Sequence, residues 1–182
     1  MGHIRHQREL LPPGLPVFEF IRFRGLRKGN KKENPLAELT TDHIFDAGID
    51  EVFAGLGRFE KYPQYIPGVT GIAVLPPTKP GSVRRVRYEL KIIKSFYYTL
   101  HMFEEAPGRI WWELDESNIM KKSNGAWALK DLGNAKTKAT YGLDVSFKGL
   151  VPSSIVDQIT KANLPGMFKG FQELIDADRK GR

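Results

Sequence analysis

The sequence predicts an α+β domain: a curved antiparallel sheet of about seven strands wrapped on a long C-terminal helix, with two short helices between strands 1 and 2. Three observations carry this. Strand-like runs follow one another from Val69 to Phe147, and turn residues rather than helical segments separate them. The stretch after Gly149 changes to helical spacing of its apolar residues. Before Val69, one strand-like run precedes two short helical patterns.

In chain order, Glu38–Asp46 suits the first strand. Ile49, Val52, Phe53 and Leu56 then fall on one helical face. A second short helix carries Phe59-Glu60-Lys61-Tyr62 and is expected to stop at Pro63 and Pro67, since proline lacks the amide donor. The later strands read as Val69–Leu75, Ser82–Ile93, Phe96–Glu104, Ile110–Glu116, Lys121–Lys130 and Lys136–Phe147. Pro76-Pro77 with Pro80-Gly81, Ala106-Pro107-Gly108 and Leu132-Gly133-Asn134 supply hairpin chemistry between them. From Pro152 to Asp178, Ile155, Ile159, Ala162, Met167, Phe168, Phe171, Leu174 and Ile175 define one long helix with an expected kink at Pro165-Gly166.

Residues 1–36 read as an extension and residues 37–182 as the folded domain. The formal net charge of +7 is uneven. The first 36 residues hold eight Lys/Arg (Arg5, Arg8, Arg22, Arg24, Arg27, Lys28, Lys31, Lys32) against Glu9, Glu19 and Glu33, whereas the remainder is close to neutral. Within the extension, Val17-Phe18-Glu19-Phe20-Ile21-Arg22-Phe23-Arg24 alternates and could pair as a strand or lie on an anionic membrane surface. The chain has no cysteine, which excludes disulfides and thiolate chemistry. No window approaches the ~20 apolar residues of a membrane span, and the cytoplasm is the default location.

The element order, together with Val52-Phe53-Ala54-Gly55-Leu56-Gly57-Arg58-Phe59-Glu60-Lys61-Tyr62-Pro63-Gln64-Tyr65-Ile66-Pro67-Gly68-Val69, resembles the START-like (SRPBCC) superfamily, particularly its polyketide cyclase/dehydrase and coenzyme Q-binding-like branches. Trp111-Trp112-Glu113-Leu114, Gly125-Ala126-Trp127-Ala128-Leu129, Thr140-Tyr141-Gly142-Leu143-Asp144-Val145 and Asn163-Leu164-Pro165 extend the likeness over residues 37–180. The resemblance implies a helix-grip fold with a cavity between sheet and helix. It does not imply one reaction, because that superfamily includes lipid carriers, hormone receptors, aromatases/cyclases, ribosome-associated toxins and co-chaperones.

Alternation along each strand sorts side chains into two faces. One face carries Val86, Tyr88, Leu90 and Ile92, then Phe96, Tyr98, Leu100 and Met102, then Ile110, Trp112 and Leu114, then Trp127 and Leu129, then Tyr141, Leu143, Val145 and Phe147. From these strands, with the short helix and the closing helix, the candidate ligand-binding set is Tyr62, Tyr65, Arg84, Val86, Tyr88, Leu90, Tyr98, Leu100, Trp112, Trp127, Tyr141, Leu143, Met167, Phe168 and Phe171. The same aromatics would serve equally as plain core. Arg84 either anchors an anionic head group at the cavity mouth or snorkels to solvent.

This inward set offers phenols and indoles but no acid–base pair, so no catalytic residue is assigned. The four histidines lack ligand spacing, so no metal is expected, and no cofactor. The leading expectation is binding or transport of a hydrophobic small molecule, a lipid, quinone or polyketide, with access between Tyr62–Gly68 and the Pro165-Gly166 segment. A polyketide aromatase/cyclase is the enzyme alternative, with Tyr88, Tyr98, Tyr141 or Arg84 polarising carbonyls. A ribosome- or RNA-associated module is the third, built on the basic strand face of Arg84-Arg85, Arg87 and Lys91, with Tyr97, Phe103 and Trp111 beside it, and on the N-terminal tail. Oligomeric state is not legible in the sequence.

Overall fold

A computed structural model describes residues 36–91 and 94–181. Strand β1 (Leu36–Phe45) leads into helix α1 (Ile49–Leu56), a 3-10 turn (Phe59–Lys61) and helix α2 (Tyr62–Tyr65). Strands β2 (Val69–Leu75), β3 (Arg84–Lys91), β4 (Ser95–Glu105), β5 (Arg109–Ser117), β6 (Met120–Gly133) and β7 (Lys136–Phe147) follow. Helix α3 (Ser153–Asp157), a π-helical turn (Gln158–Ala162) and helix α4 (Leu164–Lys180) close the chain. The seven strands form one sheet in the order β1-β7-β6-β5-β4-β3-β2, and every neighbouring pair is antiparallel.

That order explains the short helices. β1 and β2 are the two edges of the sheet, so α1, the 3-10 turn and α2 carry the chain from one edge to the other before the hairpins bring it back. The β6–β7 hairpin turns on Asn134 and Ala135, both at positive φ (52° and 51°), as the twist of a two-residue hairpin requires. Bulges at Val69/Gly71, Thr99/Leu100, Met120/Lys122 and Asp131/Gly133 bend the strands, because an extra residue on one side raises the local twist.

The helices seat on the concave face through close approaches. A Cβ at Gly170 would stand 2.1 Å from the Tyr65 carbonyl oxygen, and one at Gly55 would stand 2.5 Å from Ile175 Cγ1. Glycine at both positions lets α4 lie against α2 and α1. Arg179 adds a charged tie: its Nη2 donates to Glu51 Oε2 at 2.7 Å, and Glu51 raises its pKa. Among the described residues, no helix is long and apolar enough to cross a membrane.

Several expectations need correction. Strand β1 runs from Leu36, the first described residue, to Phe45, where the sequence predicts Glu38–Asp46. Pro63 does not stop a helix. It sits in the first turn of α2, where its missing N–H costs nothing. The closing helix departs from α geometry before Pro165-Gly166, at the π turn, where Thr160 Oγ1 donates to the Val156 carbonyl at 2.8 Å. Ile92 and Ile93, expected in the second hairpin strand, and the extension up to Pro35 lie outside the described residues.

Candidate functional site

The concave side chains do not fill the space between sheet and helix. A cavity of about 150 Å³ remains. Tyr88, Leu90, Tyr98, Leu100, Met102, Ile110, Trp112, Met120, Ser123, Trp127, Tyr141, Leu143 and Val145 form its floor and sides, all from β3 to β7. Leu56, Phe59, Tyr62, Ile66, Pro67 and Val69 close one side, and Ile159, Asn163, Met167 and Phe171 close the top. Pro67 is exposed, and Leu90, Ile159, Asn163 and Met167 are partly so. The mouth therefore lies between the Pro67 turn with the end of β3 and the π turn with the start of α4.

Two groups of rings face each other across the cavity. Tyr88 stacks on Tyr98 with centroids 4.9 Å apart and planes at 20°, and Tyr62 lies 6.2 Å from Tyr88. Tyr141 sits between the two indoles, 4.7 Å from Trp127 and 5.8 Å from Trp112. Phe171 from α4 joins the groups edge-on, 5.1 Å from Tyr62 and 5.6 Å from Trp127. These spacings fall in the range where aromatic pairs attract beyond their burial.

No Asp, Glu, His, Lys or Arg lines the cavity among the described residues. Its polar atoms are phenols, indole N–H groups, Ser123 and Asn163. Tyr62 Oη donates to the Leu56 carbonyl at 2.6 Å and is thereby committed to holding α1 against α2. Tyr88, Tyr98 and Tyr141 make no hydrogen bond among the described residues. Burial pushes all four phenols above their ordinary pKa, and the neighbouring phenols add to the effect on Tyr62, Tyr88 and Tyr98. The cavity is thus neutral at physiological pH and lined with hydroxyls that have hydrogen bonds to give.

Of the candidate set, Tyr62, Tyr88, Leu90, Tyr98, Leu100, Trp112, Trp127, Tyr141, Leu143, Met167 and Phe171 line this cavity. Tyr65, Arg84, Val86 and Phe168 do not. Val86 is fully buried below the cavity floor, and Tyr65 is half-buried against the core. Arg84 does share the Val86 face, but β3 begins there, at the end of the strand away from the mouth. Its Nη2 lies 2.8 Å from Glu104 Oε1 and its guanidinium covers the Phe59 ring at 5.4 Å, so it seals the closed end instead of guarding the mouth. Phe168 turns toward β1, stacked on His43 at 4.5 Å.

Outside the candidate set, the lining also holds Leu56, Phe59, Ile66, Pro67, Val69, Met102, Ile110, Met120, Val145 and Ile159, together with two polar residues, Ser123 and Asn163. Ser123 was within reach, since it shares strand parity with Trp127; Asn163 follows the π turn, whose extra residue no periodic pattern reveals. A second, open hollow of about 680 Å³ lies between β1 and α4, bordered by His43, Phe168, Lys161 and Lys169. It is larger, but it is a surface trough with charged walls and does not enclose a guest. On the outer face, Arg85 and Arg87 of the basic ladder are already paired, with Asp115 at 2.5 Å and Glu116 at 3.1 Å, and Lys79 pairs with Glu113. Arg87 covers Tyr97 at 4.2 Å and Arg109 covers Trp111 at 4.8 Å, so those aromatics are occupied too.

No family model matches the chain, and no curated protein matches it. Solved structures do. A START superfamily protein from Mycobacterium smegmatis shares 21% identity at a TM-score of 0.66, covering 77% of this chain and 97% of that one. The Zhui aromatase/cyclase from Streptomyces sp. R1128 shares 15% identity at a TM-score of 0.64, covering 81% and 97%. TTHA0849 from Thermus thermophilus shares 16% identity at a TM-score of 0.66, covering 78% and 99%. At such identities the likeness establishes the fold alone.

Proposed function

We propose that this chain, whose fold is the START-like helix grip, binds a hydrophobic small molecule between its sheet and its C-terminal helix, as a carrier or sensor. The observation that carries the reading is the cavity between sheet and helix, lined by no Asp, Glu, His, Lys or Arg among the described residues, in which Tyr88, Tyr98 and Tyr141 have hydroxyls without a protein partner. The described side-chain atoms that are buried without a partner are His101 Nδ1, Glu104 Oε1 and Asp144 Oδ1, so the three phenol oxygens reach accessible cavity space, where a guest or water can accept hydrogen bonds from them. An anionic guest would find no cation to offset its desolvation. The ligand this chamber suits is flat, neutral and equipped with a hydrogen-bond acceptor such as a carbonyl oxygen.

Size narrows the class further. A cavity of about 150 Å³ holds a guest of roughly benzene size, whereas sites for larger ligands run to about 300–1,000 Å³. A single ring fits whole. A lipid, a quinone tail or a polyketide chain would need the mouth at Pro67, Ile159 and Met167 to widen.

The cyclase reading draws support from the likeness to a solved aromatase/cyclase and from phenols that could polarise a carbonyl. Against it, proton transfer needs a group whose pKa lies near the working pH, and burial moves these phenols away from it. Binding therefore leads. The cytoplasm, the sequence default, goes with this proposal. Native mass spectrometry of delipidated protein should show saturable one-to-one uptake of a neutral ring compound; absence of saturable uptake for every apolar compound tried would remove the reading.

A further inference from the structure

Strand β1 is an edge of the sheet. It pairs with β7 in unbroken register from Leu36 to Phe45, and among the described residues no strand lies on its other side. Its backbone makes no hydrogen bond among the described residues except to β7. An edge of that kind carries a row of free N–H and C=O groups on alternate residues, which proteins usually blunt with proline, lysine, a bulge or a short strand. The opposite edge, β2, is blunted: it has seven residues and a bulge at Val69/Gly71. β1 has ten residues and no proline, lysine or bulge.

The closing helix runs alongside this edge. His43 stacks on Phe168 at 4.5 Å and the Asp46 N–H donates to Gln172 Oε1 at 2.9 Å, so strand and helix advance together. The open hollow of about 680 Å³ lies between them. Thr41 and His43 border it from the concave face of β1, and Asp42 and Ile44 from the convex face, which places it at the strand's edge beside the unpaired backbone groups. From Thr41 to Asp46 the edge runs roughly 17 Å, and Lys161 to Gln172 span about as much of the helix, a length that takes about five extended residues. The charges around the hollow are uneven. Asp42 and Asp46 are held by Lys138 and Lys136. Lys161 has no carboxylate partner among the described residues, and Lys169 has only Glu173, at 3.7 Å on the same exposed helix face. Burial lowers the pKa of His43 against the opposing pull of Asp46, so the ring adds no charge at neutral pH. On the convex side Ile44 is 54% exposed.

We propose that the free edge of β1 accepts an extended peptide segment of another protein as a further strand, with acidic side chains at alternate positions. Main-chain hydrogen bonds to the edge supply the affinity, and the two faces of the added strand supply the selectivity. Side chains on its concave face meet Lys161 and Lys169, which call for carboxylates. Those on its convex face lie beside Ile44, which suits β-branched residues paired across strands. A second copy of this chain would set one lysine-bearing helix face against another, so charge selects a different partner. The groove is separate from the cavity, and peptide binding is measured without added ligand, so either reading can fail alone.

The test is fluorescence anisotropy of labelled peptides of about eight residues with the full chain. The probes are an alternating Val-Glu peptide, an alternating Val-Lys peptide, and the Val-Glu peptide N-methylated either on all its Val or on all its Glu residues. The Val-Glu peptide should bind and the Val-Lys peptide should not. One methylated form should lose binding and the other keep it, because an added strand bonds through alternate amides. The double variant Lys161→Glu/Lys169→Glu should weaken the Val-Glu peptide by roughly tenfold with unchanged thermal unfolding, since both side chains are exposed. Hydrogen exchange over Leu36–Phe45 should slow when the peptide is bound. The proposal is overturned if the Val-Glu peptide does not bind, if the Val-Lys peptide binds as well, if both methylated forms bind alike, or if the double variant binds like the parent. It is overturned too if the chain alone self-associates with the β1 amides already protected, which would assign the edge to a second copy.

Discussion

The indole of Trp112 occupies the space that any side chain at Gly125 would need: a Cβ there would stand 2.1 Å from Trp112 Cζ2 and 2.5 Å from the Gly142 carbonyl oxygen. The two residues face each other in the β5–β6 register, so the absent side chain on one strand sets the position of the cavity wall on the other. Gly125→Ala should drive the indole into the cavity or part the strands, costing about 1–3 kcal/mol in chemical denaturation and weakening ligand binding. Gly142 is the control, since nothing lies within 4 Å of a Cβ added there. Gly142→Ala should leave both measurements close to those of the parent.

Arg84 separates a sealing role from a ligand-anchoring one. Its partner Glu104 has a side chain only 17% exposed, so Arg84→Ala would strand a largely buried carboxylate and should lower thermal stability. Affinity for a neutral ligand should stay within about twofold, because the pair lies outside the cavity. Loss of binding with stability retained would restore the anchoring role.

The Arg84 case shows where the sequence was legible. Alternation placed Tyr88, Tyr98, Trp112, Trp127, Tyr141 and Leu143 on one face, and the structure puts all six on the cavity wall. Parity says which face a residue joins but not how far along the strand the cavity reaches, so it groups Arg84 and Val86 with residues nearer the mouth. The closing helix was harder. Its apolar stripe is wider than the cavity, and Phe168, three residues before Phe171, packs on His43 instead. Proline chemistry misled at Pro63, because the same missing N–H that ends a helix is harmless in its first turn. The Gly125 contact is between side chain and backbone on adjacent strands, which no one-dimensional pattern contains.

Gly170 should prove as sensitive as Gly125. A methyl group there meets the Tyr65 carbonyl oxygen at 2.1 Å, and backbone yields less readily than a side chain. Gly170→Ala should lift α4 from α2, lower stability by about 1–3 kcal/mol and increase binding of a hydrophobic dye that reports an opened core.

The buried phenols set a limit at high pH. Burial raises the folded-state pKa of Tyr62, Tyr88, Tyr98 and Tyr141 above the unfolded value of about 10, so the folded chain holds protons that the unfolded chain releases. Their contribution is fully present below about pH 10 and is lost as pH rises beyond it. Ultraviolet difference titration should therefore show Tyr62, Tyr88, Tyr98 and Tyr141 ionising only in a cooperative step together with unfolding. Smooth ionisation of these four at the ordinary phenol pKa would contradict their burial.

The most direct measurement uses the cavity's own indoles. Trp112 and Trp127 line it, while Trp111 lies on the outer face stacked on Phe103 at 5.4 Å and supplies constant background. Titration with acetophenone, a neutral ring ketone, should quench tryptophan emission saturably, and benzoate, its similarly sized anion, should not. The double variant Tyr98→Phe/Tyr141→Phe should weaken acetophenone binding by roughly tenfold, because two hydroxyl donors are removed. Benzoate binding as tightly as acetophenone, or no saturable quenching by either, would contradict a neutral, hydrogen-bond-donating chamber as the site.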